Sequence, residues 1–130
     1  MAYLVDTDSL IDMYSDQQVA LELLERLAAS GIAISIISYM EVYEGILRSR
    51  TPEQVERKLD ALLETIPLVP LSLRIAQRCA RLRKALRQEG KRVNQRALDL
   101  IIAATAIEHG LDLVTRNADD YKDVPGLRLY

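Results

Sequence analysis

Along the chain, short apolar runs that read as β-strands alternate with longer stretches in which apolar residues recur every three or four positions, the period of a helix with one buried face. The strand-like runs are Tyr3 to Val5, Ile32 to Ile37, Leu68 to Leu71, Leu111 to Thr115 and Leu127 to Tyr130. A first helix is expected to open near Ser9. A second, from about Asp16 to Ala29, carries its stripe at Ala20, Leu23, Leu24 and Leu27, and a third starts near Ser38. Thr51-Pro52-Glu53-Gln54 supplies an N-cap, a first-turn proline and a capping-box Gln ahead of Val55, Leu59 and Leu62. Ile75, Cys79, Leu82 and Leu86 form the stripe of the next helix, ended by Gly90, and the last runs from about Ala97 to His109 and closes on Gly110.

Strands alternating with helices imply right-handed crossovers, hence a three-layer α/β/α arrangement around a mainly parallel sheet of about five strands. With 130 residues, 49% of them hydrophobic, one domain spanning 1–130 with an aliphatic core is expected. One connection is difficult. If the helix ending at Gly90 runs away from the ligand-binding edge, only Gly90 to Arg96 brings the chain back, and that segment must be nearly extended.

Three acids stand where a core offers them nothing. Asp99 lies within Ala97-Leu98-Asp99-Leu100-Ile101-Ile102-Ala103-Ala104, Asp6 ends the apolar run Tyr3-Leu4-Val5, and Glu41 follows Ile36-Ile37-Ser38-Tyr39-Met40. A buried carboxylate costs several kcal/mol unless it is paired, hydrogen-bonded or bound to a cation. In an open parallel sheet, residues just past the strands lie at its carboxyl edge, where ligands bind. Asp6 and Glu41 belong there. The helix from Ala97 feeds the strand from Leu111, so Asp99 in its first turn reaches the same edge, as does Thr115-Arg116-Asn117-Ala118-Asp119-Asp120. Four distant segments thus converge, and clustered carboxylates suit a metal.

Local roles compete with that reading. Ser38-Tyr39-Met40-Glu41 is itself a capping box, Asp6 and Asp8 are good N-caps, and Asn117 or Asp119 suits the start of a short terminal helix. His109, the only histidine, sits at a helix end and makes a nucleophilic triad improbable, while Cys79 falls on an apolar stripe.

Composition narrows the partners. There is no Trp or Phe and there are six Tyr, so aromatic stacking of bases is limited and backbone contacts should dominate any nucleic-acid binding. Net charge is −2, yet residues 1 to 45 hold eight acids and one base, Arg26, whereas residues 74 to 96 hold nine bases and one acid, Glu89. The cationic segment reads either as a solvated helix face or as a phosphate-facing stripe, with Arg78 and Arg81 as its RNA-backbone candidates. No run has the length of a membrane helix. Met1-Ala2-Tyr3 enters an apolar strand without a basic leader or cleavage signature, and a single Cys fits a reducing compartment, so a cytoplasmic protein is expected.

The pieces Leu4-Val5-Asp6-Thr7-Asp8-Ser9-Leu10-Ile11-Asp12, Ile37-Ser38-Tyr39-Met40-Glu41-Val42-Tyr43-Glu44-Gly45, Asp99 to Ala106 and Leu113-Val114-Thr115-Arg116-Asn117, in this order and spacing, resemble the PIN-domain ribonucleases, and among them the VapC-type toxins of toxin–antitoxin modules. The resemblance covers essentially the whole chain. It implies a single PIN-like domain and Mg²⁺- or Mn²⁺-dependent endoribonuclease activity, with Asp6, Glu41 and Asp99 as metal-site acids. Many relatives place a fourth aspartate where this chain has Asn117, so either Asp119 or Asp120 substitutes from the following turn or a second metal binds weakly, and Asp8 stands where Asn is common. Thr7, Thr115 and Arg116 are candidates for contacts to water or phosphate. The resemblance further implies a homodimer and a small antitoxin whose basic side chain enters the acidic pocket, its helix received by apolar residues such as Val42 and Ile46.

Two other readings are open. Leu4-Val5-Asp6-Thr7-Asp8-Ser9-Leu10 also resembles the nucleophile loop of haloacid-dehalogenase-like phosphatases, with Asp6 as nucleophile, Asp8 as acid/base and Asp119-Asp120 on Mg²⁺; that reading leaves Glu41 and Asp99 unused and lacks a clear catalytic lysine. A catalytically weak PIN-type scaffold that binds RNA or protein is the other, favoured by Asn117.

Overall fold

The computed structural model describes residues 2–15 and 18–130. The strands are β1 (Tyr3–Val5), β2 (Ile32–Ser35), β3 (Leu68–Val69) and β4 (Asp112–Val114), and the helices are α1 (Thr7–Tyr14), α2 (Gln18–Ala28), α3 (Ile36–Leu47), α4 (Pro52–Leu63), α5 (Leu73–Gln88) and α6 (Ala97–Glu108). Short 3₁₀ turns occupy Asn94–Arg96 and Ala118–Asp120. The expected start of the second helix at Asp16 lies outside the described residues.

All four strands are parallel, in the order β3-β2-β1-β4. Val5 sits opposite Ile34 and Val114 at the centre. Alternate residues of each strand face opposite sides, so one core packs Leu4, Ala33 and Leu113 against α5 and α6, and the other packs Val5, Ile34 and Val114 against α1 to α4. A sheet buried on both faces explains why its strands are almost wholly apolar.

The fifth expected strand does not form. Leu127 to Tyr130 makes one isolated parallel bridge, Leu113 to Leu129, because only Leu113 N–H and O bond to it, through Arg128 O and Tyr130 N. The second strand is also shorter than its apolar run. Ser35, still extended, is at once the last residue of β2 and the N-cap of α3, its hydroxyl accepting from Ser38 N–H at 3.0 Å, so Ile36 and Ile37 belong to the helix. Similarly, Asp6 caps α1, which starts at Thr7 rather than Ser9.

No extended return from Gly90 is needed. Arg78, near the start of α5, meets Glu108 at the end of α6 at 2.7 Å, while Arg83 and Arg87 reach Asn94 just ahead of α6. Helices α5 and α6 therefore form an antiparallel pair, and α5 delivers the chain to the edge where α6 begins. Gly90 in the left-handed region (φ 79°) closes α5, with Lys91 N–H on Leu86 O and Gly90 N–H on Arg87 O. Val42 and Ile46, expected to receive a partner helix, are 1% exposed and lie in the core of the α1–α4 side. Helix α3 is apolar around most of its circumference, so its sequence did not reveal which apolar residues face out. No helix among the described residues is long and apolar enough to cross a membrane.

Candidate active site

Asp6 follows the central strand β1 and is fixed by its own backbone before its side chain acts. Its N–H bonds Val114 O at 3.0 Å, extending the β1–β4 ladder by one step, and its O accepts from Leu10 as α1 begins. The side chain, 4% exposed, takes Ser9 N–H at 3.0 Å on Oδ1 and the Thr115 hydroxyl on Oδ2. The N-cap reading of Asp6 therefore holds, and the same placement puts its carboxylate at the carboxyl edge of the sheet.

Glu41 lies in the second turn of α3, past the capped N-terminus, and accepts the Thr7 hydroxyl at 2.6 Å on Oε1. The Ser38–Glu41 capping box does not form, since Ser35 is the cap. Asp99 occupies the first turn of α6 and accepts from the hydroxyl of Tyr121, a residue 3% exposed. Sequence reading missed Tyr121. Its only signal was an aromatic residue one position after Asp119-Asp120.

These residues line one cleft of about 170 Å³ with Asp8, Asn117 and Asp120. Five of its eight lining side chains are carboxylates and none is basic. Burial raises the carboxyl pKa of Asp6, Glu41 and Asp99 above the ordinary range, partly offset by the Thr115, Thr7 and Tyr121 hydroxyls respectively. Neighbouring charge adds to the rise: Asp8 acts on all three, Asp99 on Glu41, and Asp120 on Asp99. The Tyr121 phenol is pushed up by burial and then by Asp99, Asp6 and Glu41.

The remaining sequence candidates divide between this cleft and positions outside it. Asn117 donates from Nδ2 to Asp8 Oδ2 at 2.6 Å, and its N–H bonds Thr115 Oγ1 at 3.0 Å. Arg116 points to Asp12 at 3.1 Å and to Asp8 at 3.9 Å, so its first partners are carboxylates of α1. Asp119 pairs with Lys122 outside the cleft, leaving Asp120 as the acid of that turn that lines it. Arg78 sits at the far end of α6 from Asp99, bound to Glu108, and Arg81 is exposed on α5 away from the cleft lining. The structure does not bring Arg78 or Arg81 to the acids.

Among the described residues, no three His, Cys, Asp or Glu side chains close around a single point, because Asp6 is turned into Ser9 and Thr115 and Glu41 into Thr7. The donor set nevertheless fits a hard divalent cation. It offers carboxylate and amide oxygens without nitrogen or thiolate ligands, and its negative charge is uncompensated by any lining cation. The phosphatase alternative fits poorly: both Asp6 oxygens accept hydrogen bonds, Glu41 and Asp99 share the cleft, and no lysine lines it.

The PIN domain model matches residues 3–127. Ribonuclease VapC2 of Rickettsia felis is 32% identical over 136 residues, covering 99% of this chain and 96% of the relative. The tRNA(fMet)-specific endonuclease VapC of Salmonella typhimurium is 24% identical, covering 99% of this chain and 96% of its own length. Among solved structures, VapBC2 of Rickettsia felis bound to a DNA fragment from its promoter superposes with a TM-score of 0.91 at 31% identity, covering 100% of this chain and 98% of that one.

Proposed function

The chain belongs to the PIN-domain family, and from that premise we propose that it is an endoribonuclease using Mg²⁺ or Mn²⁺ and serving as the toxin of a type II toxin–antitoxin pair. The single observation that carries this reading is the convergence of Asp6, Glu41 and Asp99, from three separate segments, on a cleft with no cation of its own. These three acids would hold the ion, with Asp8, Asn117 and Asp120 at the rim. When bound, such an ion supplies an activated water and neutralises phosphate charge during in-line displacement.

The chain's own residues keep the acids in place. Thr115 and Ser9 hold Asp6, Thr7 holds Glu41, and Tyr121 holds Asp99. Each of these donors favours the ionised form that a cation needs, against the burial that disfavours it. No His or Cys lines the cleft, so a protein nucleophile is not part of the reading. The amide of Asn117 takes up the charge of Asp8 rather than adding a fourth acid.

Incubation of purified protein with structured and unstructured RNA tests the activity. Cleavage in Mg²⁺ or Mn²⁺ and none in excess chelator is expected; undiminished cleavage in chelator refutes the metal role. A catalytically weak binding module is the second reading, favoured by Asn117, and chelator-sensitive turnover excludes it.

The relatives solved as VapBC complexes support a small antitoxin as partner. We place the protein in the cytoplasm as a homodimer whose acidic cleft accepts a basic antitoxin side chain. Expression alone should slow host growth, and co-expression with the adjacent small open reading frame should yield a complex with suppressed nuclease activity. A harmless monomer with no co-purifying partner refutes the toxin role and leaves the nuclease role standing.

A further inference from the structure

The nine bases between residues 74 and 96 do not form one stripe. Arg78 is taken by Glu108, Arg96 by Asp123, and Lys91 by Asp123 at 3.0 Å and Glu89 at 3.9 Å. Among the described residues, Arg83, Arg87 and Arg92 have no carboxylate partner. Arg83 and Arg87 lie on the last two turns of α5, and Arg92 lies on the loop into Asn94–Arg96.

Two of these cations are drawn onto a single neutral acceptor. Arg83 Nη2 and Arg87 Nη2 both donate to Asn94 Oδ1, at 3.0 and 3.4 Å. Like charges four apart on a helix repel, and an amide oxygen does not neutralise them. Beside them opens a hollow of about 280 Å³ lined by Arg87, Lys91, Arg92, Val93, Asn94 and Gln95. Val93, 3% exposed, anchors this loop in the core, so the donors around it start from an ordered backbone. A guanidinium fork matches phosphate oxygens, and a phosphate entering here would supply the missing negative charge.

The hollow is also close to the cleft along the chain. The five residue-to-residue steps from Asn94 to Asp99 span at most about 18 Å even if fully extended. Arg96, between them, donates to Asp120 O at 2.8 Å and so ties this loop to a cleft-lining residue. We propose that the hollow formed by Arg87, Arg92 and Asn94 binds a backbone phosphate of the same RNA strand whose scissile bond lies in the acidic cleft. This inference rests on the ribonuclease reading. No aromatic residue lines the hollow, so the contact is to the backbone and is independent of base identity.

The test is the pair Arg87→Ala/Arg92→Ala, both exposed positions. Binding to a single-stranded RNA is followed by fluorescence anisotropy across a salt series in an Asp99→Asn background, so that the strand stays intact. Losing this one phosphate contact should make the slope of log K against log salt shallower by about 0.7. In the background with Asp99 intact, KM for RNA should rise while kcat at saturation stays the same. The control pair Arg57→Ala/Arg74→Ala removes equal charge elsewhere and should leave slope and KM unchanged. An unaltered slope and KM in the first pair overturns the proposal, as does an equal change in the control or an effect confined to antitoxin binding. If the chain with Asp99 intact neither binds nor cleaves RNA, the ribonuclease reading itself has failed, a result distinct from all of these.

Discussion

Replacing Asp123 with Asn removes the negative centre of a clasp that holds the approach to the cleft. Arg96 grips Asp123 with both terminal nitrogens, at 2.9 and 2.7 Å, and Lys91 adds a third bond at 3.0 Å. These cations lower the Asp123 carboxyl from 3.8 to about 2. At 1.36 kcal/mol per tenfold change, that difference corresponds to about 2.4 kcal/mol. The Arg96 and Asp123 side chains keep 21% and 24% of their exposure, so solvent screening reduces the figure to roughly 1 to 2 kcal/mol. For a chain of 130 residues, at about 2.1 cal/mol/K per residue, Asp123→Asn should melt roughly 4 to 7 °C below wild type at pH 7. The sign with pH follows from the lowered value. The stabilisation is complete above the unfolded carboxyl range near pH 4 and is lost as pH falls through about 2. Thermal unfolding of both proteins between pH 7 and pH 2 reads this directly. Coincident curves at pH 7, or a gap that persists undiminished at pH 2, would show that the charge of Asp123 does not stabilise the fold.

Two further outcomes concern the acids themselves. Because Asp6, Glu41 and Asp99 have raised pKa values, the metal-free folded state binds more protons than the unfolded chain, so stability in chelator should increase as pH is lowered from 7 toward 5. Asp99→Asn should then melt above wild type in chelator at pH 7 and be stabilised less by Mg²⁺; a flat pH response of wild type in differential scanning calorimetry would contradict this. Thr115→Val removes the donor to Asp6 Oδ2 and the acceptor of Asn117 N–H, so it should cost about 1 to 3 kcal/mol in urea unfolding and lower kcat for RNA. Wild-type kcat in Thr115→Val would show that the hydroxyl does not orient Asp6.

The acids of the cleft were legible because each breaks a pattern. Asp99 interrupts an otherwise apolar helix, and Asp6 ends an apolar strand, so their presence demanded compensation from elsewhere in the fold. What stayed hidden depends on packing rather than period. The apolar run from Ile32 to Ile37 gives no sign that Ser35 caps a helix midway, since serine serves strands and caps alike. The direction of α5 is set by pairing across to α6, through Arg78 to Glu108 and Arg83 to Asn94, contacts between segments whose separate patterns say nothing of each other. Leu127 to Tyr130 has the composition of a strand, but of the sheet's described residues only Leu113 offers it backbone partners. Tyr121 has no charge to mark it. Its role comes from a core position that aims one hydroxyl at Asp99, a geometry created by the turn at Ala118–Asp120.

If Asp6 and Asp99 hold the ion that cleaves RNA, their charge must be needed for turnover, which the cleavage rate of an end-labelled RNA by wild type, Asp6→Asn and Asp99→Asn in Mg²⁺ reads out. Both substitutions keep the size of the side chain and remove one negative charge from the cleft. Each should abolish cleavage while the circular dichroism spectrum remains that of wild type. Wild-type cleavage by either variant would contradict that role.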